Sequence, residues 1–219
     1  MNFEYQKARE MMVENQLRPN KIKDELILDL FRKIPKEYFI PEDVKEIPYS
    51  DIDIKLLPNR GYLKNLQIAQ LINNSEIDKK NKILHIGALT GYVTTILSKL
   101  CSHVVAIETN EKMNIILNNN VKKMELHNVK IAKGTFADGF HPESPFDIVF
   151  IDTPIVELEE TIKKQVNNEY GKIIMIKKEK DNLNKAIKIT KNKENYFHEY
   201  LFDVFTKYEL YKKESEFVF

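Results

Sequence analysis

Two glycines and one glutamate have the types and spacing of a site for the adenosine part of a cofactor. Gly87 directly follows the short apolar run 83–86, and Gly91 stands four residues further on. Glu108 ends the next apolar run, 17 residues beyond Gly91. Glycines at such a turn let the backbone approach a ligand, and a carboxylate on the neighbouring strand can accept hydrogen bonds from both ribose hydroxyls. The alternative is a turn whose glycines serve close packing, with Glu108 as a surface acid.

The glycine pattern also bears on which cofactor would bind. A dinucleotide fingerprint, G-x-G-x-x-G, needs its second glycine at the pyrophosphate, where this chain has Leu89, and no third glycine follows Gly91. The sequence also lacks the Gly-Lys-Ser/Thr ending of a phosphate-binding loop. A glycine turn that cradles no phosphate favours S-adenosyl-L-methionine, in which an amino-acid tail takes the place of the diphosphate.

Other side chains that could do chemistry have weaker support. His85 lies inside an apolar run, which favours a buried histidine that supports the site over a catalytic one. Asp152 follows another apolar run and would either contact cofactor or acceptor, or help Thr153 to cap a helix, with capping the favoured of the two. Cys101 is expected to be a buried structural thiol. With one cysteine and no H-x-x-x-H spacing, no metal site is predicted.

A parallel sheet is needed to bring these residues together. From residue 82 onward, short apolar runs alternate with helical patterns, which is typical of βαβ units around a buried parallel sheet. We therefore expect an α/β, Rossmann-like fold with a mostly parallel sheet and an antiparallel C-terminal edge. The predicted strands are 83–86, 104–107, 129–132, 148–151, 173–176, 196–202 and 208–219, and the predicted helices are 92–100, 111–125, 157–166 and 183–190.

The N-terminal part has a different pattern. Apolar spacing predicts helices over 24–31 and 63–72, and four prolines between residues 35 and 58 exclude a long helix between them. We expect a single domain over residues 1–219. In it, residues 1–75 form a helical cover with a substrate loop, and residues 76–219 form the cofactor-binding core.

Composition excludes several classes of protein. The 219 residues carry 34 Lys+Arg and 33 Asp+Glu, a net charge of +1, which disfavours a nucleic-acid partner. No stretch approaches 18 uncharged apolar residues, and the N-terminus lacks a signal-peptide pattern, so neither a membrane span nor export is expected. One cysteine fits a reducing, cytoplasmic compartment. Oligomeric state is not readable from the sequence.

An ordered series of short segments runs from about residue 30 to residue 176. Segment 32–41 is similar to an "R…P…FVP" motif, 48–51 to "AYxD", 57–58 to the start of "LPIGxGxTIS", 83–92 to "VLEIGTGSGY", 106–108 to a ribose-binding strand end, 128–135 to "NV…GDG" and 145–149 to "PFDxI". Together they resemble the protein-L-isoaspartate O-methyltransferase family. Segments 11–18 and 217–219 are similar to a bacterial branch of that family.

The resemblance implies an S-adenosylmethionine-dependent methyltransferase that methylates the carboxylate of isoaspartyl residues in damaged proteins or peptides. His85 stands where the family has an acid, Leu89 where it has the middle glycine, and Thr135 where it has the aspartate that meets the adenine amino group. The cofactor-binding residues are then expected to be His85, Gly87, Leu89, Gly91, Glu108, Thr135 and Asp152.

The loop over residues 59–66 departs most from the family pattern. It is shorter by about two residues, and Lys64 stands near the position of the family's active-site Ser/Thr. We expect Arg60 and Lys64, beside Gly61, to attract an anionic acceptor; the alternative is that they are solvated loop charges. The departure leaves other functions open: a catalytically altered or inactive cofactor-binding interaction module, a methyltransferase for another acceptor, and a nicotinamide dehydrogenase.

Overall fold

The strands from residue 82 onward build one large sheet. The computed structural model describes residues 2–45 and 47–211. Its helices are α1 (Asn2–Met12), α2 (Glu25–Lys33), α3 (Asn65–Ser75), α4 (Tyr92–Leu100), α5 (Glu111–Lys123) and α6 (Glu160–Lys163). Its strands are β1 (Ile54–Lys55), β2 (Gly61–Tyr62), β3 (Lys82–Ile86), β4 (His103–Ile107), β5 (Val129–Ala132), β6 (Ile148–Ile155), β7 (Glu169–Lys177), β8 (Leu183–Asn192) and β9 (Asn195–Phe205).

The large sheet has seven strands in the order β5-β4-β3-β6-β7-β8-β9. The strands from β5 to β7 are parallel, and β8 and β9 continue the sheet as antiparallel strands. This arrangement confirms the predicted fold class. The chain runs from β3 outward through β4 to β5, then returns to place β6 on the other side of β3. The switch point therefore lies between β3 and β6, where open α/β sheets bind ligands beyond their carboxyl ends.

Alternation along the strands divides the core into two faces. Ile83 and Phe150 belong to the cluster shared with the N-terminal helices, whereas their neighbours Leu84 and Val149 belong to the cluster on the opposite face. All four side chains are buried. Burial of one such side chain is worth about 1.5–3 kcal/mol, so a sheet covered on both faces has a strongly fixed register.

The N-terminal helices cover one face of the sheet. α2 begins at Asp24, whose carboxylate accepts hydrogen bonds from the backbone N–H groups of Leu26 and Ile27, and buries Leu28 and Phe31 on its inner side. α3 packs against β6, β7 and β8. In the part of the chain that the structure describes, no helix combines the length and apolarity needed to cross a membrane.

The predicted helix over residues 183–190 is wrong, because this segment is strand β8. Its β-branched residues Ile187, Ile189 and Thr190 favour a strand. Leu183, Ala186 and Ile187 have the spacing of one helix face, but in the structure Ala186 and Ile187 pack in clusters on opposite faces of the sheet.

Two further boundaries differ from the prediction. β6 extends to Ile155, so only Glu160–Lys163 of the predicted helix 157–166 is α-helical. The predicted strand 208–219 is wrong over residues 208–211, which follow β9 without strand structure. The rest of that prediction, including segment 217–219, lies outside the described residues.

Candidate functional site

The turn after β3 has the backbone conformation that its glycines suggest. Gly87 and Gly91 have φ angles of +86° and +97°. The N–H groups of Gly87 and Ala88 donate hydrogen bonds to the carbonyl of Ile107 at 2.9 and 3.0 Å, which fixes the turn to the end of β4. Leu89 also has a positive φ, +52°, in a region that L-residues other than glycine seldom adopt. Leu89 thus adopts a left-handed backbone conformation at the position where the family motif has a glycine.

Glu108 lies beside this turn, as the spacing predicted. Its carboxylate accepts a hydrogen bond from the N–H of Leu89 at 2.8 Å and one from the N–H of Asn110 at 2.9 Å. Its side chain is fully buried. The position suits recognition of a ribose, because the carboxylate ends the strand next to the glycine turn.

The remaining lone pairs of Glu108 are taken by Arg60. The Arg60 Nη1 and Nη2 atoms lie 2.9 and 2.6 Å from the Oε1 and Oε2 atoms of Glu108, a bidentate pair. The guanidinium also lies 4.8 Å from the centre of the Phe136 ring. Arg60 therefore has a partner other than the anionic acceptor that the sequence suggested, and it is buried rather than solvated.

Lys64 does not join this cluster. Its backbone N–H donates to Asp53 Oδ1 at 3.1 Å, and its ammonium lies 3.3 Å from the Asp51 carboxylate. The side chain is about one-third exposed. The structure therefore brings Arg60, but not Lys64, into contact with the glycine turn and its carboxylate.

The segment that follows β9 crosses the same edge of the sheet. The N–H of Leu210 donates to the carbonyl of Pro154 at 2.8 Å, and the N–H of Glu209 donates to the carbonyl of Asn59 at 2.9 Å. The Leu210 Cδ1 atom lies 2.6 Å from the point where a Cβ on Gly87 would stand. The backbone of Gly87 is thus approached closely by a leucine of the same chain.

His85 and Asp152 meet beneath the turn. The His85 Nδ1 atom lies 2.9 Å from the Thr94 hydroxyl, and its Nε2 atom lies 3.4 Å from Asp152 Oδ1. Both side chains are buried. Asp152 lies inside β6, and the following helix has Glu159 at its N-cap position, so the predicted capping role is wrong.

Thr135 lies at the outer side of the site. Its hydroxyl donates to the Asp138 carboxylate at 2.6 Å, and the N–H of Asp138 donates back to it at 3.0 Å. It lines a cavity of about 220 Å³ together with Thr109, Phe136, Ala137 and Tyr211. Cys101 is buried as predicted, and burial raises the pKa of its thiol to about 11.

A group of buried polar residues that no sequence pattern predicted lies behind the turn. Lys36 is fully buried, with its ammonium 2.8 Å from Asn65 Oδ1 and above the rings of Tyr62 and Tyr92. Burial lowers the pKa of Lys36 to about 7, although the charge of Asp53 opposes this change. The only signal in the sequence was the position of Lys36 within the family-like segment 32–41.

Tyr62 connects the loop after residue 59 to the glycine turn. Its hydroxyl lies 2.7 Å from the Thr90 hydroxyl and accepts a hydrogen bond from the N–H of Tyr92 at 2.9 Å. Because Thr90 and Tyr92 flank Gly91, Tyr62 holds the end of the turn. Its neighbour Arg60 is brought to Glu108 by the same short β1–β2 hairpin.

A mostly parallel sheet with a glycine turn at its switch point and a buried carboxylate on the next strand defines the class: a Rossmann-like fold with a candidate nucleoside site. The model of the protein-L-isoaspartate(D-aspartate) O-methyltransferase family matches residues 6–205. A Syntrophobacter fumaroxidans protein-L-isoaspartate O-methyltransferase is 30% identical over 78% of this chain and 79% of its own. An Aliivibrio fischeri enzyme of the same name is 25% identical over 90% and 93% of the two chains. The chain belongs to the protein-L-isoaspartate O-methyltransferase family, which confirms the resemblance found in the sequence.

Solved structures agree on the fold. A protein-L-isoaspartate O-methyltransferase structure superposes with a TM-score of 0.76 at 23% identity, covering 90% of this chain and 64% of its own. A Plasmodium falciparum structure, described as such a methyltransferase in complex with S-adenosyl-L-homocysteine, gives a TM-score of 0.73 at 21% identity over 92% and 97% of the two chains. At these identities the likeness establishes the architecture.

Proposed function

We propose that this chain is an S-adenosylmethionine-dependent methyltransferase that acts on the carboxylate of isoaspartyl residues in proteins or peptides. The observation that carries the proposal is the match of the family model across residues 6–205. The turn at Gly87–Gly91 and the carboxylate of Glu108 support it, since they lie at the switch point where such a fold binds its ligand.

The residues are assigned to two sides of the site. Gly87, Leu89, Gly91 and Glu108 form the cofactor side, with the His85–Asp152 pair beneath it and Thr135 at its outer edge. Residues 1–75 form the acceptor side of a single domain, and residues 76–219 the cofactor side. A cytoplasmic location fits the single, buried cysteine.

The acceptor's chemistry makes few demands on the protein. An isoaspartyl carboxylate is ionised at neutral pH, so the acceptor needs no general base. The contribution expected of the enzyme is alignment of the reacting groups, which can be worth about 7–11 kcal/mol. Loss of the family's active-site hydroxyl near Lys64 is therefore compatible with this class of reaction.

The site in this conformation does not fit the cofactor. Ribose hydroxyls at the glycine turn would need lone pairs of Glu108 that are taken by Arg60, Leu89 and Asn110. Leu210 stands against Gly87, where the backbone would approach the ligand. Binding by these residues therefore requires a rearrangement of the site.

The experiment that tests the function is a methyl-transfer assay with radiolabelled S-adenosylmethionine and two peptides that differ only in one residue, isoaspartyl or aspartyl. We expect label to enter the isoaspartyl peptide alone. Transfer to both peptides would indicate another acceptor preference. Transfer to neither, with cofactor bound, would favour the interaction module, whose support is the altered loop over residues 59–66.

A further inference from the structure

Two parts of this chain fill the place where the cofactor would bind. One is Arg60, in the loop between β1 and β2, and the other is residues 206–211, which follow β9. We infer that Arg60 and residues 206–211 together form an internal plug that must leave the glycine turn before S-adenosylmethionine can bind. This inference rests on the proposed function, because it concerns the same cofactor site.

The first half of the plug satisfies Glu108 completely. A carboxylate has about four lone-pair positions, and four N–H groups from Arg60, Leu89 and Asn110 point at them. The two backbone donors belong to the framework of the turn. Arg60 is the one donor group on a side chain that can move away, and it occupies the two positions that ribose hydroxyls would use.

The guanidinium of Arg60 packs closely against the residues around the glycine turn. It lies over the ring of Phe136, 4.8 Å from the ring centre, and a Cβ added to Gly87 would be 3.4 Å from its Nη2 atom. The buried Nε atom of Arg60 has no hydrogen-bond partner. Arg60 is thus bound through its Nη1 and Nη2 atoms, while its buried Nε donor stays unsatisfied. This unsatisfied donor costs free energy, which favours release of Arg60 when a ligand competes for Glu108.

The second half of the plug covers the glycine turn with an apolar side chain. Leu210 is buried in the same cluster as Ile86 and Ile107, the last residues of β3 and β4. Its Cδ1 atom would lie 2.6 Å from a Cβ on Gly87. The positive φ of Gly87, +86°, is what favours glycine at this position, and the short distance shows how closely Leu210 approaches its backbone.

The loop that carries Arg60 and the segment 206–211 contact each other directly, so that movement of one disturbs the other. The N–H of Glu209 donates to the carbonyl of Asn59, the residue before Arg60. The hydroxyl of Tyr208 would be 2.8 Å from a Cβ on Gly61, the residue after Arg60. Both neighbours of Arg60 therefore contact the C-terminal segment, and displacement of that segment loosens the loop that carries the guanidinium.

The plug is tested by isothermal titration calorimetry with S-adenosylmethionine on the full chain and three variants. Leu210→Ala removes the apolar half and Arg60→Ala the charged half. Leu201→Ala is the matched control, since Leu201 is a partly buried leucine on β9 that packs in the other cluster. We expect the Kd to fall at least tenfold in the first two variants and to stay unchanged in the control.

A second measurement follows the plug in the wild-type chain. Hydrogen exchange read by mass spectrometry reports on the N–H groups of Glu209 and Leu210, which are bonded to Asn59 and Pro154. Saturating S-adenosyl-L-homocysteine should speed exchange in the peptide that contains Glu209 and Leu210. The bound product would displace residues 206–211 and so break the hydrogen bonds that protect these two N–H groups. Where calorimetry shows that S-adenosyl-L-homocysteine binds the wild-type chain, unchanged or slower exchange in this peptide would overturn the plug.

The outcomes separate the plug from the function. Wild type and variants that bind S-adenosylmethionine equally well overturn the plug and leave the proposed methyltransferase standing. A chain that binds no cofactor in any of the four forms overturns both. Binding gained only when Leu210 or Arg60 is replaced supports both, and a methyl-transfer assay on those variants then shows whether the isoaspartyl acceptor is used.

Discussion

At the scale of single residues, the bidentate pair of Arg60 and Glu108 is the contact that fixes the loop between β1 and β2 at the glycine turn. Both side chains are buried, and the two nitrogen–oxygen distances are 2.9 and 2.6 Å. The spacing after the glycine turn placed Glu108, because strand, turn, helix and strand follow one another locally along the chain. Arg60 lies 48 residues earlier and reaches Glu108 through the β1–β2 hairpin, which leaves no periodic signal in the sequence.

Removing one charge of this pair should destabilise the fold strongly. Glu108→Gln leaves the buried guanidinium of Arg60 without a counter-charge, and breaking a buried pair from one side costs about 3–5 kcal/mol. Urea denaturation followed by circular dichroism should show this loss in the free energy of unfolding. Glu111→Gln is the matched control on the exposed first turn of α5 and should change stability by less than about 0.5 kcal/mol.

A double substitution separates pairing from packing. Combining Arg60→Met with Glu108→Gln removes both charges, so the double variant should be clearly more stable than the sum of the two single losses predicts. Strictly additive losses would mean that the two side chains stabilise the fold independently, and the pair would then have no part in holding the loop at the turn.

At the scale of elements, the sequence predicted strands and helices best where the local pattern of apolar residues alone determines the element. Strand 129–132 and helix 92–100 have the bounds expected from their apolar runs. The prediction for β8 was wrong because Leu183, Ala186 and Ile187 have helical spacing, although β8 pairs regularly with β7 over residues 185–191. The prediction of Asp152 as a cap was wrong because β6 continues for three residues beyond it. Both errors lie where the tertiary pairing of strands overrides local pattern.

The β8–β9 hairpin carries strain that one substitution should relieve. Lys193, at the turn between these strands, is exposed and has a φ of +55°, a conformation that costs a residue with a Cβ about 1–2 kcal/mol. Lys193→Gly should raise the free energy of unfolding by roughly 0.5 kcal/mol, since glycine's greater freedom in the unfolded chain offsets part of the gain.

A second lysine on the same hairpin provides the control for Lys193. Lys185 is exposed within β8, where the backbone is extended and glycine has no conformational advantage. Lys185→Gly should therefore lower the free energy of unfolding by about 0.5–1 kcal/mol. If both glycine variants lose stability in urea denaturation, the turn at Lys193 is not strained.

At the scale of the whole molecule, the buried amine of Lys36 links folding to pH. Lys36 is enclosed between the N-terminal cover and the turn, and burial lowers its pKa from an ordinary value near 10.5 to about 7. In the unfolded chain the amine stays protonated up to about pH 10, so between pH 7 and that value the unfolded state binds more protons. Stability from this group must then rise with pH, and it is lowest below pH 7.

The size of this effect can be measured in a window where few other groups titrate. Burial also raises the pKa values of Cys101 and Tyr62, whose ordinary values are 9 and 10. These two groups lower the free energy of unfolding only as the pH rises toward and beyond those ordinary values. Between pH 7 and pH 9, Lys36 should therefore add roughly 2 kcal/mol to the free energy of unfolding. Urea denaturation at half-unit steps of pH measures the slope.

Replacement of Lys36 shows whether this amine causes the rise in the free energy of unfolding with pH. Lys36→Met keeps an apolar stem of similar length and cannot be protonated, so the rise between pH 7 and pH 9 should vanish, whatever the variant's absolute stability. Lys33→Met removes an amine that is about 70% exposed on α2 and should leave the slope as in the wild type. Equal slopes in all three proteins would show that Lys36 is charged in the fold, held by Asn65 and the two tyrosine rings.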